Sequence, residues 1–262
     1  MILLKNDEEY KLMKKAGLIL AETMNFIGSM ITPGISAQKL DSEAYDFIRK
    51  NGAEPAFLGF DGYKYTTCIS INNEVIHGLP IKSKILHQGD IVSIDIGCSY
   101  KGYFADMAKT FPVGEVDEKR KLLIEVTEKS LIMGINSIKV GLHIGIIGHT
   151  IQTFVQENGF SVVKSFVGHG IGLKLHEEPQ IPNFGKSENG PLIKRGMAIA
   201  IEPMVNSGSD EVISLPDGWT VVTKDGSDSA HFEHTVFVRD NFVEILTLTT
   251  WGFTEIWKIK TF

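Results

Sequence analysis

Cysteine is scarce: the 262-residue chain holds two, Cys68 and Cys98, and neither belongs to a Cys-x-x-Cys pair. That excludes a disulfide framework, a zinc ribbon and a thioredoxin-like motif, and reads as two reduced thiols in a cytosolic protein. Long apolar runs are missing too; none approaches the ~20 residues that cross a bilayer. The start, MILLKNDEEY, has a short apolar stretch before charges arrive and lacks the basic region and long apolar core of a signal peptide. The expectation is a cytoplasmic protein without membrane attachment. Nor is there a surplus of positive charge: 26 Lys and Arg face 32 Asp and Glu, for a net charge of −6. That argues against a protein built mainly to grip nucleic acid. Apolar bulk is present, at 43% of residues. At this length it supplies a substantial core for one large domain or two small ones.

The order of patterns along the chain is helix, helix, strands, then helix, helix, strands. NDEEYKLMKKAGLILAETMNFIGSMI reads as a helix capped by Asn6 or Asp7 and stopped by Pro33-Gly34. SAQKLDSEAYDFIRKNG reads as a second, with Ser36 at its start and Gly52 just past its end. DEKRKLLIEVTEKSLIMGINSI and IGIIGHTIQTFVQENGF are the later pair. Gly34, Phe47, Asn51 and Gly52 recur at one constant spacing as Gly141, Phe154, Asn158 and Gly159, and the same spacing carries Asp95 onto Glu202. A shared offset at helix ends and at a strand carboxylate indicates a duplicated α+β half. We therefore expect one domain over 1–248, with halves of about 5–115 and 116–248, and a tail over 249–262.

The strands carry acids. In DIVSIDIG, alternation places Val92, Ile94 and Ile96 on one face and Ser93, Asp95 and Gly97 on the other. In GMAIAIEPM, Ile199 and Ile201 share one face while Ala198, Ala200 and Glu202 share the other. Each acid has small neighbours, which leave room beside a carboxylate. Asp106 follows Asp95 with Tyr100-Lys101-Gly102 between, a spacing that suits a hairpin. Glu233, in SAHFEHTVFV, is placed to approach Glu202 through a second hairpin. Singly, each acid reads as well as a solvent-facing strand charge. Four at related positions, joined by His169 in a glycine-rich turn, make an oxygen-rich set with one imidazole, which is what two divalent ions sharing carboxylates need.

Taken together, SINNEVIHGLP, SIDIGCSYKGYFADMAKTF, FVGHGIGLKLHEEP, MAIAIEPM and HFEHTVFV resemble, in order and over about residues 3–248, the type I methionine aminopeptidases of peptidase family M24. The resemblance implies the α+β pita-bread fold: two pseudo-symmetric halves with an antiparallel sheet covered by helices. It implies two divalent metal ions, whether Co, Mn, Fe, Ni or Zn. Asp95 would chelate one ion, Asp106 and Glu233 would bridge both, and His169 and Glu202 would complete the second. It further implies that a metal-bound hydroxide attacks the carbonyl of the first peptide bond, with Glu202 as proton shuttle. His77 would contact the substrate near the scissile amide, and His176 would stabilise the tetrahedral intermediate. An apolar pocket for methionine would be lined near Phe57, Phe60, Tyr63, Tyr65, Cys68 and Trp219. Phe57 stands where the family commonly has cysteine, and Leu175 where it commonly has phenylalanine. Asn72 and Ser229 match positions near a monovalent-cation site in some members. The partners implied are N-terminal peptides of nascent polypeptides with a small second residue, and the ribosome; neither nucleic acid nor membrane is expected, and a monomer is the family default. Two other readings compete: a prolidase or X-Pro aminopeptidase, which shares the five ligands, and a relative that has lost catalysis and serves as a binding module.

Overall fold

The computed structural model describes residues 1–248; the tail over 249–262 lies outside the described residues. Helix α1 (Asp7–Gly28) starts at Asn6, whose side chain accepts from the Glu8 and Glu9 backbone while Glu9 reaches back to the Asn6 N–H, a reciprocal capping box. Helix α2 (Ala37–Lys50) is capped by Ser36, and Gly52 just beyond it takes a positive φ of 77°. In the second half, α3 (Glu118–Asn136) is capped by Asp117, and α4 (Gly145–Glu157) begins at Ile144 without a side-chain cap. The observed helices end a few residues inside the periodic patterns, which carry no information about where a terminal turn unwinds.

Between α2 and α3 run β1 (Glu54–Pro55), β2 (Thr67–Ile71), β3 (Glu74–Ile76), β4 (Ile91–Tyr100) and β5 (Tyr103–Pro112). After α4 come β6 (Ser161–Val162), β7 (Gly168–Gly170), β8 (Glu177–Ile181), β9 (Ala198–Ile201) and β10 (Met204–Asn206). The chain closes with β11 (Val212–Ser214), β12 (Val221–Thr223), β13 (Ser229–His231), β14 (Glu233–Val238) and β15 (Val243–Ile245). The largest sheet has nine strands, ordered β1-β4-β5-β14-β9-β7-β8, with β2 also on β4 and β15 also on β14. Every pairing in it is antiparallel. Two small sheets, β13-β10-β6 and β11-β12-β3, stand beside it. The stretch GMAIAIEPMV is therefore two strands rather than one. It breaks at Glu202-Pro203, where proline removes a ladder donor and the chain passes to the next sheet.

The order β4-β5-β14-β9 places the hairpin of the first half against the strands of the second, so β5 and β14 meet at the seam. Helices cover one face. Ile19, Leu20 and Met24 of α1 pack with Leu40 and Ile48 of α2 on Val92, Ile94 and Ile96 of β4. Leu131 and Ile135 of α3 pack with Ile147 and Ile151 of α4 on Ile199, Ile201 and Val236. Each such side chain contributes about 1.5–3 kcal/mol by leaving water. The apolar side of each strand is thus committed to the helices, and the acid-bearing side is left to face the other way.

Candidate metal centre

The register of the large sheet brings the strand acids together. Tyr100 pairs with Tyr103 across a two-residue turn in which Lys101 and Gly102 both take positive φ, the conformation that matches the twist of a tight hairpin. From that turn the ladder runs Gly97 opposite Asp106 and Asp95 opposite Ala108, so both acids project from one face as diagonal neighbours. Ala108 is in turn opposite Glu233, and Ala200 is opposite both Thr235 and His169. Glu202 follows β9, and alternation with Ala200 sets it on the same face. The five expected ligands therefore share one face. β9 and β14 are antiparallel neighbours, as expected of Glu202 and Glu233, but they are joined by the excursion through β10–β13 rather than by a tight hairpin. His169, expected in a glycine-rich turn, sits in the short strand β7 between β8 and β9.

Ligand atoms of Asp106, His169 and Glu233 all lie within 4.8 Å of one another, and His169 Nε2 is 3.7 Å from Glu202 Oε1. Asp95 Oδ1, Asp106 Oδ1 and Glu233 Oε1 are buried without a hydrogen-bond partner. Uncompensated buried carboxylate oxygens are costly unless a cation satisfies them, so the donor set fits divalent metal ions. The acids respond to their crowding. Burial lifts Asp95 to about 7. Burial, then the neighbouring carboxylates, pushes Asp106, Glu202 and Glu233 well above the usual range. The histidines move the opposite way. Burial, then His176, lowers His169 to about 4, so its imidazole is neutral. The Gly170 carbonyl lies 2.9 Å from His169 Nδ1; a carbonyl can only accept, so the proton is on Nδ1 and the Nε2 lone pair is free to ligate.

A cleft of about 650 Å³ opens beside this face, lined by His77, His169, His176 and Glu202. The His176 ring is 4.4 Å from the His169 ring and meets the edge of exposed Phe60 at 5.1 Å. His77 takes a positive φ of 57° and lies 5.9 Å from Phe166. Burial, then His176, lowers His77 to about 4, and burial lowers His176. Phe57, Tyr63, Tyr65, Cys68, Leu175 and Trp219 form one apolar cluster, with Tyr63 edge-on to Trp219 at 4.8 Å. The Phe57 ring rests on Gly97, opposite Asp106. Asn72 and Ser229 also meet, the Ser229 N–H donating to the Asn72 carbonyl at 2.8 Å.

Two contributors were missed by sequence reasoning. Thr235 Oγ1 accepts from the Asp106 N–H and donates to the Asp106 carbonyl, both at 2.8 Å, locking Asp106 across the seam. His231 is buried, with Nε2 unpartnered and 3.8 Å from Glu202 Oε2. The signal for Thr235 was its spacing of two from Glu233, which puts it on the same face of the strand.

A model of "Metallopeptidase family M24" matches residues 11–240. The chain belongs to metallopeptidase family M24. Among its relatives in that family, the methionine aminopeptidase of Clostridium perfringens is 52% identical, covering 95% of this chain and 99% of the relative. Methionine aminopeptidase 1 of Bacillus subtilis is 48% identical over 94% and 99% of the two chains. The crystal structure of methionine aminopeptidase from Thermotoga maritima superposes with a TM-score of 0.94 at 46% identity, covering 95% of this chain and all 100% of that one. Prolidase from Pyrococcus furiosus, at 25% identity, gives 0.76 and is covered over 65% of its length. The pita-bread fold is common to both; within M24 the chain groups with the methionine aminopeptidases, metalloexopeptidase hydrolases.

Proposed function

We propose that this chain removes the initiator methionine from nascent polypeptides, preferring a small second residue, with two divalent ions held by Asp95, Asp106, His169, Glu202 and Glu233. The reading is carried by one observation: ligand atoms of Asp106, His169 and Glu233 cluster on the sheet face that Asp95 and Glu202 share, with buried carboxylate oxygens of Asp95, Asp106 and Glu233 that nothing else satisfies. Ions bound there lower the pKa of a water and polarise the scissile carbonyl. The remaining work falls to the chain itself. Glu202, on the same face and 3.7 Å from His169 Nε2, accepts the proton of the attacking water and hands it to the leaving amine. His176 is neutral and faces the cleft; its N–H donates to the carbonyl oxygen as negative charge develops there. His77, across the cleft, orients the scissile amide. The cluster of Phe57, Tyr63, Tyr65, Cys68 and Trp219, with Phe60 at its mouth, takes the methionine side chain. The chain acts as a cytoplasmic monomer on peptides leaving the ribosome.

Metal-stripped protein supplied anaerobically with Mn(II), Co(II) or Fe(II) tests the reading. Release of methionine from Met-Gly-Met-Met only with metal is the expected result. Cleavage of an Xaa-Pro dipeptide instead would move the chain to the prolidase branch, and metal binding without cleavage of either would favour a binding module.

A further inference from the structure

The His176 loop is held by Lys5, a residue outside the motifs quoted above, through Glu177. Glu177, next to His176, turns its carboxylate inward. Its Oε1 accepts from the Leu173 N–H at 2.7 Å and the Lys174 N–H at 3.1 Å, closing the turn that carries His176. Its Oε2 accepts from Lys5 Nζ at 2.5 Å, and the two side chains are 2% and 5% exposed. The Lys5 ammonium also donates to the Leu3 carbonyl at 3.1 Å, and the Lys5 N–H is fixed to Gly196 O at 2.7 Å. The Lys5 stem runs over Gly172, where a Cβ would collide with it. Gly172 O accepts from the Phe104 N–H at 2.8 Å, so the loop is pinned to β5 as well. Met1 and Leu3, from the same leading segment, line the cleft with His77 and His169.

We propose that Lys5 is a positioning residue: through its buried ion pair with Glu177 it holds the Leu173–Glu177 turn and so aims His176 at the scissile carbonyl. The inference rests on the catalytic role given to His176 above. A buried carboxylate stripped of its cation is strongly destabilised. Without Lys5 the turn must open to bring water to Glu177, and His176 moves with it. Displacements of about 1 Å are enough to cost one to two orders of magnitude in rate.

The test compares Lys5→Met, which keeps the packed stem but removes the charge, with Glu177→Gln and the double variant in metal-loaded full-length protein. Lys5→Met is expected to lower kcat on Met-Gly-Met-Met about tenfold or more while KM changes by less than about twofold. Adding Glu177→Gln removes the buried charge yet keeps an oxygen for the two turn amides, so kcat should recover to within about threefold of the parent. The His176 imidazole resonances of metal-free, ¹⁵N-histidine-labelled protein, assigned through His176→Asn, should shift in Lys5→Met and return in the double variant. Wild-type kcat in Lys5→Met, or a loss that Glu177→Gln leaves in place, would overturn the proposal, as would unmoved His176 resonances. If Lys5→Met does not fold, Glu177→Gln alone decides: reduced kcat at unchanged KM supports the tie, and parental kcat refutes it. An inactive parent would instead count against the proposed function, while the resonances would still report on the tie.

Discussion

Gly97 and Phe57 are fitted to one another, and replacing Gly97 by alanine measures how tightly. An added Cβ would lie 2.7 Å from Phe57 Cε1 and 3.1 Å from the Ala56 Cβ, where ordinary contacts begin at 3.4 Å. The ring must retreat by roughly 0.3–0.7 Å, and overpacking of that kind costs about 1–3 kcal/mol. Phe57 is buried among Tyr63, Cys68 and Leu175, which leaves it little room to move. The ring can only press toward the pocket, and KM for methionyl peptides should rise while metal content stays unchanged. Phe57→Cys removes the obstacle: in that background the overpacking vanishes, and the coupling between the two substitutions should equal the same 1–3 kcal/mol. Urea unfolding of the parent, both single variants and the double variant, all metal-loaded, closes the cycle. Additivity to within about 0.5 kcal/mol would show that the ring is not wedged against Gly97.

Other consequences follow from the same face of the sheet. His169→Ala should lose bound metal along with activity, whereas His77→Ala should lose activity with metal retained; equal metal loss in both, by elemental analysis, would refute the division of roles. The metal-free protein should grow less stable as pH rises. Burial lifts Asp95 from 3.8 to about 7, so across that window the folded chain holds a proton the unfolded chain has released, and folding free energy falls with pH. Below about pH 6.5 the lowered His77 and His169 pull the other way, so the comparison belongs above it. Urea midpoints of EDTA-treated protein should be higher near pH 7 than near pH 8.5, as Asp106, Glu202 and Glu233, pushed well above the usual range, lose their protons. Restoring Mn(II) to a hundred times its Kd should return about 2.7 kcal/mol; midpoints that rise with pH in the metal-free protein would contradict the crowding of the acids.

Much of this centre was legible because strand alternation is a strict period. Ile94 and Ile96 could not face the helices without turning Asp95 the other way, and Lys101-Gly102 fixed the turn that sets Asp106 beside it. What alternation does not carry is which strand lies next to which. The placing of β14 between β5 and β9 depends on contacts far apart in sequence, so Glu233 was expected near Glu202 through a hairpin that the chain does not form. His169 shows the same limit. Its flanking glycines looked like a turn, yet Gly168 and Gly170 are small because the β8 and β9 backbones pass close on either side. His231 was overlooked because its strand belongs to a different sheet, and only folding brings its ring over Glu202.

The position of β14 also bears on how the chain is made. Asp95 and Asp106 come early in synthesis, but the strand that completes their sheet is among the last to be translated. Until Val238 has left the ribosome, β5 is a bare edge whose unpaired amides and carbonyls invite a wrong neighbour. Until β14 is made the two halves stay unjoined, and the step that shields the exposed edge is the same step that brings Glu233 beside Asp95 and Asp106.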